Sequence, residues 1–343
     1  MKSAMKGYKL QQVAPKRVEL VPYEVPAIAD DEVLVANEYT AISAGTERAN
    51  LITLPNTATG FPRDLGYCGV GRIIERGKAV RSFAVGDRVT IHAGGHRSYS
   101  VSRTCFLQHV PESVSSPEAA LVVIGSMGLQ GARKTRVELG ESCMVIGLGL
   151  LGLFALQGMK LMGGLPVIAL DFNDERLALA RELGADYAFR PDEPDLKEKI
   201  RDLTHGGVKA IVEVSGSAKA LLQALDLACR EARISLTGCT RISDAPVDFY
   251  RMVHLTGVQL IGAHNDVRPG SNSRPGYWTK GDDYRTLLDL IAAGRLQVSP
   301  MISEIVTPDR APDVFTRLAE NPVAPLGILF DWAGHAAQQE ADR

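Results

Sequence analysis

An apolar run, Cys143 to Ile146, leads straight into Gly147-Leu148-Gly149-Leu150-Leu151-Gly152, and the next apolar run, Pro166 to Leu170, ends on an acid, Asp171. Strand, three spaced glycines, helix, strand and acid in that order admit few architectures. The first glycine permits a tight strand-to-helix turn, the second lets backbone approach a ligand, and the third lets helix and strand pack closely. A helix that starts there presents free N–H groups and the positive end of its dipole. A pyrophosphate suits that end, and the carboxylate of Asp171 suits both hydroxyls of an adenosine ribose while repelling a 2′-phosphate. The segment predicts a dinucleotide site formed by Gly147, Leu148, Gly149, Leu150, Leu151, Gly152 and Asp171, with NAD rather than NADP as cofactor. A glycine-rich helix-packing contact is the plain alternative, but it does not call for the whole ordered set.

A chain of 343 residues exceeds one typical core, so two domains are expected. A composition 45% hydrophobic and 23% charged, with a formal net charge of −2, is that of an ordinary soluble globule without a basic face for nucleic acid. The 5 cysteines are scattered without a CxxC pair, which argues against a disulfide framework or a zinc knuckle and fits a reducing cytoplasm. Met1-Lys2-Ser3-Ala4-Met5-Lys6 lacks the apolar core of a signal peptide, and no apolar stretch is long enough for a bilayer. No membrane partner is expected.

From Lys9 to about Val110 short β-rich runs such as Glu32 to Ala36 and Asp87 to Ile91 alternate with Gly and Pro, which predicts a compact mostly-β domain. Beyond Pro117 the pattern changes. A helix is predicted over Ala119 to Lys134, then strands Cys143 to Ile146, Val167 to Asp171, Ala210 to Val214, Arg233 to Leu236 and Gln259 to Ile261, with helices Leu153 to Met162, Asp174 to Leu183 and Ala218 to Cys229 between them. Near-continuously apolar strands alternating with helices imply right-handed crossovers and a doubly wound parallel sheet. A polar loop rich in Gly and Pro follows Asn265, then a helix over Asp283 to Ala293 and a β-rich return around Met301 to Val306. From His335 the residues are small and polar, and fraying is expected.

Gly86-Asp87-Arg88-Val89 and Leu183-Gly184-Ala185-Asp186, together with this domain order, resemble the medium-chain dehydrogenase/reductase superfamily over nearly the whole chain. Ser43-Ala44-Gly45-Thr46-Glu47-Arg48 resembles its zinc-lacking subgroup, which includes bacteriochlorophyllide dehydrogenases and sugar or polyol oxidoreductases. The resemblance implies an α/β fold, with a Rossmann doubly wound parallel sheet over residues 119–265 and a mostly-β GroES-like catalytic domain over 1–118 and 266–343. It places the substrate cleft between the domains, and a homodimer or homotetramer is expected. Zinc-dependent members carry a Cys, a His and a second Cys where this chain has approximately Ser43, Tyr67 and Ile124. Three ligands of a tetrahedral zinc are therefore missing, and no metal is predicted, although Glu47, His92 and His96 form a conceivable alternative set.

Without a Lewis acid, alcohol oxidation or ketone reduction still needs a group that moves a proton. Tyr67 stands in the place of the family's His and is the first candidate, its alternative being a space-filling phenol bonded to a neighbour. Glu47 either tunes Tyr67 or His96, accepts a substrate hydroxyl, or forms a salt bridge with Arg48 or another cation. His92 and His96 are relays to solvent or structural residues, and Thr46 is a hydroxyl relay or a cap. On the Rossmann side Ser215, Gly238 and Cys239 lie at strand ends and are predicted to line the nicotinamide riboside, with His264 and Asn265 reaching nicotinamide or substrate. Ser217 either joins them or caps the helix from Ala218, and Cys239 reads as a small packed residue rather than a nucleophile. The loop from Asp266 to Lys280, with Arg268, Asn272, Arg274, Tyr277 and Trp278, is a substrate lid or an oligomer contact.

The function expected is a zinc-independent, NAD-dependent dehydrogenase acting on a secondary hydroxyl of a small polar substrate, a cyclitol, polyol or sugar derivative. Two alternatives stay open. One is a quinone or enone reductase of C=C bonds, which Asp171 disfavours because such enzymes usually draw on NADPH; the other is a non-catalytic NAD(H)-binding protein.

Overall fold

A computed structural model describes residues 5–321, 323 and 325–341. The first β-rich segment forms β1 (Lys6–Ala14), β2 (Arg17–Glu24), β3 (Glu32–Ala41), β4 (Arg63–Asp64), β5 (Cys68–Arg76), β6 (Arg88–His92), β7 (Tyr99–Arg103) and β8 (Leu107–His109), with helix α1 (Ala44–Leu51) between β3 and β4. Alternate side chains of the long strands, among them Val33, Val35, Ile73, Val89 and Ile91, enter one core. The register carries most of the functional consequence. Ala41 pairs with Cys68, and Cys68 with His92, so the exit of β3, the entry of β5 and the exit of β6 lie in one row. Ser43 and Tyr67, just beyond that row, are thereby brought together from 24 residues apart.

The helix predicted over Ala119 to Lys134 is two helices, α2 (Ser116–Ala120) and α3 (Val122–Thr135). Ser115 and Glu118 form a reciprocal capping box that starts α2 ahead of the apolar periodicity. The Rossmann segment follows as β9 (Cys143–Ile146), α4 (Leu150–Leu161), β10 (Val167–Leu170), α5 (Asp174–Glu182), β11 (Tyr187–Phe189), α6 (Leu196–Thr204), β12 (Val208–Glu213), α7 (Ala218–Leu227), β13 (Ala228–Leu236) and β14 (Gln259–Gly262). The strands are all parallel in the order β11-β10-β9-β12-β13-β14, which reverses between β9 and β12. That reversal is the switch point at which ligands of open α/β sheets sit. β11 and α6 escaped the sequence analysis because a three-residue strand is too short for periodicity, and because α6 buries only Leu196 and Ile200 among charged neighbours.

The return comprises α8 (Lys280–Ala292), β15 (Glu304–Val306), α9 (Ala311–Glu320), β16 (Ile328–Asp331) and α10 (Trp332–Ala341). β16 pairs with β3 and so joins the sheet that carries Ser43. Fraying from His335 is corrected here: α10 is helical, with Trp332 1% and His335 8% exposed and the His335 ring edge-on to Tyr8. One buried Trp, worth roughly 1.5–3 kcal/mol, anchors a helix whose small polar residues gave no sign of it. The chain divides into Met1–Val123 with Tyr284–Arg343, and Ile124–Asp283. The second break therefore lies beyond the expected 265/266, because residues 266–283 are bonded to α3. Among the described residues no helix is long and apolar enough to cross a membrane.

Candidate active site

The Tyr67 hydroxyl donates to Ser43 Oγ at 2.7 Å, and the Thr46 side chain also hydrogen-bonds to the phenol. Ser43 precedes α1 and Thr46 lies in its first turn, so one short helix supplies both hydroxyls to one phenol. Thr46 is thus not a cap. Burial pushes the Tyr67 pKa well above the ordinary tyrosine value, with the charges of Cys68 and Glu47 adding to it and the Ser43 and Thr46 hydroxyls opposing it. The group is therefore a protonated phenol near neutrality, able to donate rather than to abstract. Its ring meets His92 edge-on at 6.3 Å between centroids, and His92 in turn meets Phe106 and Tyr284 at 5.9 and 6.3 Å.

Glu47 and His96 lie behind this cluster. Glu47 is 2% and His96 1% exposed, and His96 Nε2 lies 3.0 Å from Glu47 Oε2. The other carboxylate oxygen accepts the Ser43 N–H at 2.8 Å, and His96 Nδ1 lies 2.8 Å from Thr40 Oγ1. Of the ion-pair partners considered for Glu47, His96 rather than Arg48 lies against its carboxylate. With both ring nitrogens engaged and the ring enclosed, His96 does not meet the expectation of a relay open to solvent. Thr40 and Trp332 complete the arrangement, and neither was marked in the sequence, since nothing local distinguishes them.

The dinucleotide segment is built from contacts that require its glycines. Gly147 has φ +94°, a conformation that disfavours side chains, and a Cβ on Gly152 would lie 1.9 Å from the Gly147 carbonyl oxygen. At Gly149, by contrast, a Cβ would meet nothing within 4 Å, so the chain opens to solvent where α4 begins without a side-chain cap. The uncapped helix end and the open cradle fit a pyrophosphate. Asp171 closes β10, its Oδ2 accepting the Leu148 N–H at 2.6 Å and its Oδ1 the Asn173 N–H at 2.9 Å. Each oxygen keeps a lone pair for a ribose hydroxyl. Leu148 is buried, and Leu150 and Leu151 begin α4.

Beside this turn stand Ser215, Gly238 and Cys239. Glu213 Oε1 accepts from the N–H groups of Ser215 and Gly216 at 2.7 and 3.1 Å and from the Ser215 hydroxyl. Burial pushes its carboxyl upward while those donors oppose the shift. The turn so held packs against Gly147, Gly238 and Cys239 at distances that leave no room for added side chains. Glu213 was missed, although an acid ending an apolar strand is the same signal that marked Asp171. Ser217 starts α7 without a side-chain cap bond; its N–H instead donates to Ser215 Oγ. Cys239 is exposed rather than packed. His264 is exposed at the end of β14, its Nδ1 accepting the Asp266 N–H at 3.3 Å.

The loop from Asp266 is clamped to α3. Arg268 donates to Gln130 Oε1 at 2.8 Å and to the Ser126 carbonyl at 2.5 Å, and it pairs with Asp283, which also takes Arg133 at 2.9 Å. The guanidinium of Arg133 stacks on Trp278, and the Lys134 ammonium sits over Tyr277, each 3.6 Å from the ring centroid. The donors that suggested a substrate lid are thus largely spent on anchoring.

The donor chemistry does not fit zinc at the three counterpart positions. The Ser43 and Tyr67 hydroxyls bond to one another, Ile124 is buried and has no donor atom, and among the described residues no group of three or more His, Cys, Asp or Glu is placed to hold a metal.

Comparison with known proteins shows what the chain is similar to. The family described as zinc-binding dehydrogenase matches residues 151–272. The D-guloside 3-dehydrogenase of Escherichia coli is 27% identical over 353 residues, covering 94% of this chain and 99% of that protein. Among solved structures, galactitol-1-phosphate dehydrogenase of Escherichia coli superposes with a TM-score of 0.83 at 20% identity, covering 94% of this chain and 99% of that one. A protein of Sinorhizobium meliloti described as a zinc-binding dehydrogenase, solved with NADP, gives 0.82 at 21% identity over 95% and 99%. The fold, a parallel Rossmann-like sheet with a β-rich second unit, is the one these solved structures share. The chain is similar in sequence to named sugar, polyol and alcohol dehydrogenases, and it is an oxidoreductase of the kind that acts on CH–OH donors.

Proposed function

We propose that the protein is a zinc-independent, NAD-dependent dehydrogenase that oxidises a secondary hydroxyl of a cyclitol, polyol or sugar derivative, or reduces the matching ketone. The observation that carries this reading is the Tyr67–Ser43–Thr46 hydroxyl cluster, standing where the resemblance would put a metal and its ligands. A relative that acts on a guloside and a solved neighbour that acts on a phosphorylated polyol support the substrate class. The nicotinamide, when bound, supplies the hydride acceptor or donor. Gly147 to Gly152 would hold its pyrophosphate, Asp171 its adenosine ribose, and Ser215, Gly238, Cys239 and His264 the nicotinamide end. Tyr67 would hold a proton at its phenol oxygen and, turned from Ser43 to the substrate, donate it to the ketone oxygen in reduction, the direction a firmly protonated phenol serves best; in oxidation the phenol oxygen would take the substrate's proton only as its own is relayed on through the Ser43 and Thr46 hydroxyls.

The test is a panel of cyclitols, polyols and sugars with NAD⁺, followed by NADH absorbance, on enzyme incubated with and without chelator and analysed for metal. We expect turnover of at least one member, no stoichiometric zinc and no loss on chelation. One tightly held zinc per chain whose removal abolishes activity overturns zinc independence. NADH binding without turnover of any alcohol or ketone overturns the enzyme reading, and turnover confined to activated C=C bonds replaces it with an enone reductase.

A further inference from the structure

Glu47 and His96 have no access to a substrate, yet they are wired to the residues that would touch one. Trp332 Nε1–H donates to Thr40 Oγ1 at 2.8 Å, and the same oxygen lies 2.8 Å from His96 Nδ1. A threonine oxygen has two lone pairs, so with Trp332 donating to one of them the hydroxyl either gives its proton to Nδ1 or accepts from Nδ1 on the other. A carboxylate only accepts, so whichever way that bond runs the ring carries a proton on Nε2 and donates it to Glu47 Oε2. Glu47 accepts on both oxygens, the second holding the Ser43 N–H at the entry to α1. The ring has little freedom to turn. Phe330 and Phe315 flank it at 5.1 and 6.2 Å, and on a third side a Cβ on Gly66 would lie 2.6 Å from its atoms.

We propose that Glu47 and His96 are the positioning pair of this site: the hydrogen-bonded chain Trp332–Thr40–His96–Glu47 fixes the Glu47 carboxylate as a double acceptor, and that carboxylate pins the start of α1 so that Ser43 and Thr46 meet the Tyr67 phenol. The kinetic consequence rests on the reading of Tyr67 as the proton-transferring group; the Nε2–H bond to Glu47 does not. A glutamine at 47 offers one acceptor and one donor where two acceptors are needed. Facing its oxygen to the Ser43 N–H turns its NH₂ toward Nε2, which relieves the donor–donor clash only if the ring proton moves to Nδ1. Thr40 can receive that proton on its second lone pair.

The test reads the His96 ring by ¹⁵N NMR of the free enzyme at pH 7.5 and, separately, steady-state kinetics. We expect the wild-type ring to carry a proton on Nε2, and Glu47→Gln to leave Nε2 bare with the ring proton on Nδ1. A wild-type ring whose Nε2 is bare overturns the chain, and the wild-type spectrum decides this even where the variant does not fold. For kinetics, Glu47→Gln should lower kcat by about tenfold or more through misplacement of the hydroxyls while leaving the KM for NAD⁺ unchanged. The double variant Tyr67→Phe/Glu47→Gln should be no slower than Tyr67→Phe, because Glu47 acts through Tyr67. Multiplying losses, or wild-type kcat in Glu47→Gln, overturn the positioning role. Should Tyr67→Phe itself retain full turnover while the wild-type ring carries its proton on Nε2, the assignment of Tyr67 fails and the hydrogen-bond chain stands.

Discussion

Tyr67 and Asp171 are the two side chains on which the proposed activity turns. Replacing Tyr67 by Phe keeps the ring against His92 and removes only the donor. Proton transfer of this kind is worth about 10²- to 10⁴-fold, so Tyr67→Phe should lower kcat by about that factor while NADH affinity, followed by fluorescence titration, stays near wild type. The folded-state pKa of Tyr67 lies above its ordinary value of 10.0, so the stability it contributes is complete below that value and is lost only as pH rises through the folded pKa. No limb of the pH–rate profile below about pH 10 should then belong to it. Asp171 keeps one lone pair per oxygen for ribose, and its charge would meet a 2′-phosphate at close range. The wild type should show a higher kcat/KM with NAD(H) than with NADP(H), and Asp171→Ala should narrow that ratio. A wild type that favours NADPH would sink the assignment.

At the scale of elements, the turn into α4 separates two uses of glycine that look alike in sequence. A Cβ at position 152 strikes the Gly147 carbonyl oxygen, whereas one at 149 enters open space. Gly149→Val should therefore fold with an almost unchanged Tm and lose dinucleotide binding in the same fluorescence titration. The clamp between α3 and α8 offers a pH test. Burial pushes Asp283 from the ordinary 3.8 up to about 6, against the pull of Arg268 and Arg133. Because the folded value is the higher one, the contribution is complete below about pH 4 and is lost as pH rises through about 6, amounting to at most about 3 kcal/mol. Chemical unfolding of wild type and Asp283→Asn from pH 4 to 7 should show wild-type stability declining relative to the variant across that window. The dinucleotide segment was legible because glycine spacing, an apolar strand and a terminal acid are all local. The clamp was not: Arg268 reaches Ser126 across 142 residues, and as a sequence its loop was only a collection of donors. Tyr67 and Ser43 were legible as positions lacking zinc ligands, but the register that joins β3, β5 and β6 was needed to make them partners.

At the scale of the whole molecule the two units differ in how the chain makes them. Residues 124–283 form one unbroken stretch, whereas the other unit joins Met1–Val123 to Tyr284–Arg343. Phe315, Phe330 and Trp332 enter the same core as Leu10, Val18, Ile42 and Leu51. A chain ending before Ile328 should still bind NADH but lose the cooperative melting of the β-rich unit, as calorimetry would record by the loss of one transition.

The pairing of β16 with β3 therefore has a meaning in time as well as in space. During synthesis the Rossmann unit can close as soon as its last residues leave the ribosome, although it is encoded second. The unit begun first must wait, the Tyr39 to Ala41 stretch of β3 without its partner, until β16 has been made. The unit begun earlier is thus the one that can close later. The hydrogen bond from Trp332 to Thr40 spans 292 residues, so the chemistry proposed for Tyr67 waits on a side chain made long after it.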